Sequence, residues 1–217
     1  MEQSLTILKN SKLFEDIAED VILEKILPYG QLQTYAKGQY LIQPQEILSR
    51  FAIILSGKVN ILHIFPEGNY SLMAALNPAD TFGADLIYTR TQVSPYHAVA
   101  VIPTSVMYFP ADLPERVGMP WQQVLQRNFL TLLSQENIKK EYRLAILSQK
   151  GLRERILTYL TMQAKRRQQT TFSISFSREE LAAFLCVNRS ALSHELSRMQ
   201  QEGLITFRKN VFTVHFL

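Results

Sequence analysis

The sequence predicts an α+β protein with a β-rich N-terminal part, a long central helix and a small, mostly helical C-terminal domain. Three observations predict this class. Short runs of Ile, Val, Tyr and Phe alternate with turn residues over residues 31–109. A helical pattern then runs from Pro120 to about Ser148, and two short helices joined by a tight turn occupy residues 177–199.

The predicted domains follow this order. Residues 1–118 form the β-rich domain, preceded by short amphipathic helices over Ser4–Leu27. Residues 119–148 form the long helix, and residues 149–217 form the C-terminal domain. The strands are short and evenly spaced, which is typical of a sandwich or a barrel, and their spacing does not decide between the two.

Composition and cysteine content limit the classes of protein. With 217 residues, of which 47% are apolar, the chain is expected to be globular. The single cysteine, Cys186, excludes a disulfide within the chain and any metal or iron–sulfur site that needs several thiolates from one subunit. We find no secretory signal pattern and no apolar run long enough for a bilayer, so we expect a soluble, cytoplasmic protein.

Positive charge is concentrated at the C-terminal end. Residues 149–217 contain 11 lysines and arginines against 5 glutamates, a net charge of +6, whereas the first 148 residues carry −2. A basic domain is the electrostatic feature expected of contacts with phosphate groups.

The long helix has an apolar stripe near its start. The stripe consists of Leu125, Phe129 and Leu132, and the full helix would extend roughly 42 Å. A second copy of the same helix is one partner for the stripe, because a two-headed DNA reader places its recognition helices about 34 Å apart. Packing of the helix on its own β domain is the alternative.

The two short helices have the pattern of a helix-turn-helix. Ser177 and Glu180 form a capping box at the start of the first helix, and Asn188 can cap the second, which we predict over Arg189–Arg198. The outer face of the second helix is small and polar, which suits the major groove of DNA. An ordinary helical hairpin with a solvated polar face gives the same pattern. A β-hairpin with Lys209-Asn210 at its turn follows, where a wing would touch phosphate or the minor groove.

The chain resembles the cyclic-AMP receptor and fumarate-nitrate regulator (Crp-Fnr) family of bacterial transcription factors. The resemblance is carried by a set of motifs from both ends of the chain: Lys37-Gly38, Ile54-Leu55-Ser56-Gly57-Lys58-Val59, Phe82-Gly83, Arg153-Glu154-Arg155-Ile156-Leu157, Leu181-Ala182-Ala183-Phe184-Leu185, Val187–Met199 and Glu202-Gly203-Leu204-Ile205. It implies a jelly-roll β-barrel like a cyclic-nucleotide-binding domain, a dimerisation helix and a winged helix-turn-helix. It also implies a homodimer that binds a palindromic site in double-stranded DNA, works with RNA polymerase and responds to a small-molecule effector in the barrel.

The resemblance assigns roles to residues in each part. Base-reading residues would be Arg189, Ser190, Ser193 and His194, and phosphate or wing contacts would be Arg178, Ser197, Arg198, Arg208 and Lys209. Dimer contacts would come from Leu125, Phe129 and Leu132, and candidates for the effector pocket are Asp85, Tyr96, His97, Lys140 and Glu141.

Several positions depart from the family pattern. Cyclic-nucleotide binders carry Gly-Glu-Leu and an Arg-Ser or Arg-Thr pair, where this chain has Gly83-Ala84-Asp85-Leu86 and Pro95-Tyr96-His97-Ala98. No arginine is present there for a cyclic phosphate, so we expect no response to cyclic AMP. Cys186 replaces the usual turn glycine, and His194 replaces an arginine. A positive φ at Cys186 would cost on the order of 1 kcal/mol.

We expect no cofactor and no metal. Haem, with His63 or His97 as axial ligand, is the alternative. A second function compatible with the sequence is a small-molecule or haem sensor module that acts on a partner protein and keeps only a vestigial DNA head. Enzymatic activity has no support, since we find no Gly-rich phosphate loop, metal pair or nucleophile with an evident base.

Overall fold

The computed structural model describes residues 2–216 and confirms the predicted order of elements. Its α-helices, α1 to α8, span Glu2–Lys9, Glu19–Val21, Ala84–Ile87, Leu113–Val117, Trp121–Leu147, Leu152–Arg167, Arg178–Phe184 and Arg189–Gln201. Its strands, β1 to β11, span Gln31–Tyr35, Tyr40–Ile42, Arg50–Ser56, Val59–Ile64, Tyr70–Leu76, Thr81–Phe82, His97–Ala100, Thr104–Pro110, Thr171–Ser173, Ile205–Arg208 and Val211–Val214.

The chain divides into two compact units. The first contains the residues up to His63 together with Ala74–Ile138. The second contains Ile64–Met73 together with the residues from Lys139 onward. The division falls inside α5, whereas the predicted limits after residues 118 and 148 treated the long helix as a segment of its own.

The β-rich part consists of two four-stranded sheets, with strand orders β1-β8-β3-β6 and β2-β7-β4-β5. Both sheets contribute to one apolar core, which explains why the strands are short and alternate in burial. The buried members of this inter-sheet core are Leu41, Ile42, Leu48, Ala52, Ile54, Val59, Ile61, Phe82, Leu86, Ala98, Ala100, Val106 and Tyr108.

Strands β3 and β8 have two buried faces. Ala52 and Ile54 point into the core between the sheets, whereas Phe51 and Ile53 belong to a second core on the opposite face of the strand. That second core is covered by the N-terminal helices and by the first part of α5. The continuous apolar run of β3 is therefore a consequence of burial on both faces.

The first part of α5 packs on the first unit. It does so through the apolar stripe for which the sequence analysis considered a second copy of the helix as partner. Leu125 and Phe129 are 0% and 2% exposed, and Leu132 packs against the same N-terminal core. Asn128, on the same side, donates hydrogen bonds to the carbonyl oxygens of Leu13 at 3.0 Å and Glu15 at 2.7 Å. The expectation that Leu125 and Phe129 contact a second chain is therefore wrong, because their side chains are already buried in the same subunit, whereas Leu132 is only half-buried and its contact with a second chain stays a prediction.

The opposite face of α5 is open. Leu130 and Ile138 are 68% and 52% exposed, and they lie eight residues apart. Eight residues are about 2.2 helical turns, so the two side chains lie roughly 80° apart around the axis, within the width of one apolar stripe. The helix therefore has two apolar faces, of which the sequence stripe identified only the one that packs on the first unit.

The second unit has a single core built by α6, α7, α8 and the three-stranded sheet β10-β11-β9. Phe172 and Phe212 face each other across β9 and β11, and both are nearly fully buried. The third strand of this sheet is short, since only Thr171–Ser173 pair with β11.

Candidate nucleic-acid interface

The first helix of the motif, α7, begins where its capping residues predict. The Ser177 hydroxyl accepts a hydrogen bond from the Glu180 backbone amide at 3.2 Å. The Glu180 carboxylate accepts one from the Ser177 amide at 2.8 Å. Both halves of the predicted capping box are thus present, and they satisfy two amide groups that the helix itself leaves unpaired.

The turn after α7 contains a residue in the left-handed conformation. Cys186 has φ of +57°, a conformation in which glycine is the usual residue. Asn188 then caps α8, because its side-chain oxygen accepts the Ala191 amide at 2.7 Å. Helix α7 ends at Phe184 and α8 continues to Gln201, one residue earlier and three residues later than predicted.

The inner face of α8 fixes its orientation in the domain. Leu192, Leu196 and Met199 are fully buried, and they share one core with Leu181 and Leu185. The apolar spacings of four and three residues therefore mark the packed face, as the sequence predicted.

The outer face of α8 is free of packing. Arg189, Ser190, His194, Ser197 and Arg198 are exposed, and Ser193 is half-buried. The Ser190 hydroxyl donates to Asn188 Oδ1 at 2.8 Å, and the Ser197 hydroxyl donates to the Ser193 carbonyl at 2.9 Å. Both hydroxyl oxygens can still accept a hydrogen bond. The outer face of α8 is therefore covered by short polar side chains, with the guanidinium of Arg189 at its first residue.

An arginine that sequence reasoning did not single out anchors α8 to α6. The Arg153 Nε donates to Glu195 at 2.5 Å, and its two Nη atoms donate to the two carboxylate oxygens of Glu202 at 2.6 and 2.9 Å. This fork holds the pKa of the Glu202 carboxyl below its ordinary value. Arg198 also lies 3.7 Å from Glu195, so part of its charge is offset. The sequence showed this arginine only as part of the motif Arg153-Glu154-Arg155. The sequence alone could not predict its partner Glu195, which lies 42 residues further along the chain.

The wing is a hairpin whose turn residue, Lys209, has φ of +54° and is exposed, as is Arg208. Arg178 braces this hairpin. Its guanidinium carbon lies 4.8 Å from the ring centroid of Phe207 and 5.2 Å from that of Phe212, and its Nη2 donates to the Lys209 carbonyl at 2.8 Å. Burial lowers the pKa of Arg178 below its ordinary value. Arg178 therefore holds the wing in place, in addition to the phosphate contact expected of it.

An open cleft of about 350 Å³ lies between the start of α7 and the wing. Two of its lining residues, Arg178 and Lys209, are cationic. The full lining consists of Ser175, Phe176, Ser177, Arg178, Lys209 and Asn210. Cations and hydroxyls at a helix start are suited to hold a phosphate group.

Comparison with protein families agrees with this architecture. A model of the cyclic nucleotide-binding domain matches residues 32–117, and a model of the Crp-like helix-turn-helix domain matches residues 154–215. Together the two matches cover both parts of the chain in the family's order. The chain belongs to the Crp-Fnr family of transcription regulators.

Relatives of this Crp-Fnr protein extend over most of its length. The transcriptional activator protein anr of Pseudomonas aeruginosa is 26% identical over 189 residues, which are 85% of this chain and 75% of the relative. The cyclic AMP receptor protein of Thermus thermophilus is 24% identical and is covered to 89%, with 91% of this chain. A solved structure of a CooA variant from Carboxydothermus hydrogenoformans has the same fold, with a TM-score of 0.74 at 17% identity, covering 99% of this chain and 92% of that one.

Like these relatives, this Crp-Fnr protein is a DNA-binding transcription regulator, and the relatives are regulators rather than enzymes. Across residues 2–216, none of the helices combines the length and the apolar character of a membrane span.

Two of the effector candidates of the Crp-Fnr barrel, Asp85 and Tyr96, are in direct contact. The Tyr96 hydroxyl donates to the Asp85 carboxylate at 2.9 Å, next to the inter-sheet core. Burial and the neighbouring Asp85 raise the pKa of Tyr96. Lys140 and Glu141 are exposed residues of α5 in the second unit.

His97 lies on the other side of its strand. Its neighbour Ala98 points into the inter-sheet core, so His97 points to the outer face, where its ring lies 5.5 Å from that of Tyr40. The expectation that His97 lines the barrel interior therefore does not hold, because successive strand residues face opposite sides. His63, the other histidine considered for haem, is exposed.

Proposed function

We propose that this regulator works as a homodimer that reads a palindromic DNA site through the outer face of α8 and responds to an effector other than cyclic AMP. The main support is a row of exposed polar side chains on α8, which starts at Arg189. The opposite face of the same helix is fully buried. A helix held in this way can enter the major groove without disturbing its domain.

Dimer formation is assigned to the open face of α5. Family members act as dimers, and Leu130 and Ile138 are the large apolar residues that this helix leaves exposed in the first unit. Apolar side chains that stay exposed on one helical face are the usual contact of paired helices. A second copy of α5 is therefore the partner of this face.

In vitro selection from a pool of random duplexes tests the palindrome. We expect enrichment of an inverted repeat whose half-site centres are about 10 base pairs apart, because two-fold symmetric dimers place their recognition helices one duplex turn apart. Enrichment of a single half-site, or of a direct repeat, would contradict the symmetric dimer.

Two features argue against cyclic AMP as the effector. The polar groups of Asp85 and Tyr96 satisfy each other, so the carboxylate is already engaged where a ribose hydroxyl would need it. The segment that carries the phosphate-binding arginine in nucleotide-binding members has Tyr96 and His97 instead, and His97 points away from the core. An anionic phosphate buried there would have no cation beside it.

Calorimetric titration with cyclic AMP measures this directly. We expect no binding heat and unchanged affinity for the selected duplex, with the cyclic AMP receptor protein of Thermus thermophilus as the positive control. Micromolar binding of cyclic AMP to this chain would overturn the assignment.

The remaining parts of the proposal follow from the family. A relative is named a transcriptional activator, which supports RNA polymerase as a partner, and a DNA target supports the cytoplasm as the place of action. We assign no resident cofactor and no metal, and we assign a small molecule as the effector.

A further inference from the structure

The tip of the hairpin between β4 and β5 belongs to the second compact unit. The tip, Ile64–Met73, groups with the residues from Lys139 onward and not with the rest of the sheet. Within this hairpin tip, Ser71 is only 4% exposed, and its Oγ lies 3.4 Å from the Sγ of Cys186. A hydroxyl of the hairpin tip thus touches the turn of the helix-turn-helix.

Arg143 joins the hairpin tip to this turn. Its Nη2 donates to Ser71 Oγ at 2.6 Å and lies 3.8 Å from Cys186 Sγ, while its Nη1 lies 3.3 Å from Met73 Sδ. Its guanidinium carbon lies 5.4 Å from the ring centroid of Phe184, the last residue of α7. Arg143 is half-buried in this contact, and its burial lowers the pKa of the guanidinium below its ordinary value.

The hairpin tip also lies within electrostatic range of the first turn of α7. Burial, together with the charges of Glu179 and Glu180, raises the pKa of the Tyr70 phenol in the hairpin tip. The hairpin tip therefore contacts the turn after α7 through Ser71 and senses the acidic start of α7 through Tyr70, while Arg143 contacts the end of α7.

The same contact leaves the DNA-directed surface open. Arg189, Ser190 and His194 are exposed beyond the turn. Cys186, with its positive φ, is the residue through which α7 is connected to this surface. A contact at Cys186 can therefore restrain the start of α8 without competing with DNA.

We propose that Arg143 and the hairpin tip are positioning elements for DNA binding, which hold the helix-turn-helix in its binding-competent arrangement. Groups ordered before association reduce the entropy that binding costs. Opening the contact then weakens binding to all duplexes by a similar factor, because no base contact is lost. The inference rests on the DNA-binding function of the family and adds to it a role for a segment outside the DNA-binding domain.

A disulfide tests whether the contact forms and whether holding it closed strengthens or weakens DNA binding. The chain has one cysteine, so Ser71→Cys can form only one disulfide within a subunit, with Cys186. We expect mild oxidation with diamide to give this monomeric cross-link on a non-reducing gel, and the oxidised protein to bind the selected duplex as tightly as the reduced protein or more tightly. Asn69→Cys, at an exposed position of the same hairpin tip, is the matched control and should not cross-link within the subunit. Absence of the cross-link in the Ser71→Cys variant, an equal cross-link in the control, or a tenfold loss of affinity on oxidation would each overturn the proposal.

Removal of the arginine provides the second measurement. We expect Arg143→Ala to weaken binding to specific and random duplexes by a similar factor of about 5–10, with an unchanged slope of affinity against salt. Lys150→Ala removes one positive charge from an exposed position three residues after the end of α5 and controls for the lost charge. A salt slope reduced by about 1 would mean that Arg143 contacts phosphate, and an unchanged affinity would mean that the contact has no role; both would contradict the proposal.

If Arg143→Ala fails to fold, the disulfide variant still decides. If the unmodified chain binds no duplex, the DNA-binding function fails, whereas the cross-link still reports whether the contact forms.

Discussion

Replacing both Leu130 and Ile138 by glutamate is expected to convert the dimer to a monomer and to weaken binding to the palindromic duplex by about 100-fold or more. Both side chains are mainly exposed in the subunit, so the change should not disturb its fold. In a dimer the four added carboxylates would repel one another and lose water at the interface. A monomer also loses the gain of about 10²- to 10⁴-fold that comes from linking two binding sites. Sedimentation equilibrium and duplex titration measure the two effects.

The buried face of α5 supplies the control for this experiment. Phe129→Ala removes a side chain that is 2% exposed and makes edge contacts with Phe51 and Tyr88 at ring distances of 5.1 and 5.6 Å. We expect it to lower the free energy of unfolding by about 3–5 kcal/mol without abolishing dimer formation under native conditions. A double glutamate variant that stays dimeric, or a Phe129→Ala protein that is stable and monomeric, would reverse the assignment of the two faces.

Arg189→Ala is expected to cost about 1–3 kcal/mol of binding free energy on the preferred duplex and to relax the preference at one base pair. Arg189 is the first residue of α8, and its side chain is exposed, as a bidentate contact with a guanine requires. Titration of duplexes with single base-pair changes measures the effect. The loss should be confined to sequences that carry the preferred base pair.

Lys209→Ala is the matched comparison, because it also removes one exposed cation. Lys209 lies at the turn of the wing, where a side chain meets phosphate or the minor groove. We expect it to weaken binding to all sequences about equally and to reduce the salt slope by about 1. Equal losses on preferred and random DNA for Arg189→Ala would remove this residue from base recognition.

Local signals in the sequence were sufficient for the DNA-binding motif. The capping box at Ser177, the Asn188 cap and the apolar spacing of Leu192, Leu196 and Met199 all involve residues close together in the chain. Such contacts depend on residues three or four positions apart, so the sequence shows both members of each pair. The positive φ of Cys186 was considered for another reason, because the resemblance to the family places a turn glycine at this position.

Contacts between distant residues were decided only by the tertiary structure. Arg153 forms ion pairs with Glu195 and Glu202, which lie outside its own helix. Arg178 stacks on aromatic residues of the wing. His97 points outward because its neighbour Ala98 occupies the core side of the strand. Pairing of this kind depends on packing, which periodicity does not encode.

The sequence by itself therefore determined the α+β class, the order of the parts and the polar face of α8, because each depends on short-range patterns. The tertiary structure decided which apolar face of α5 is left for a partner, since an apolar stripe such as that of Leu125 and Phe129 fits a neighbouring subunit and its own domain equally well. It also decided that Ser71 and Arg143 meet at Cys186, because hydrogen bonds between distant segments form only after the core has brought those segments together.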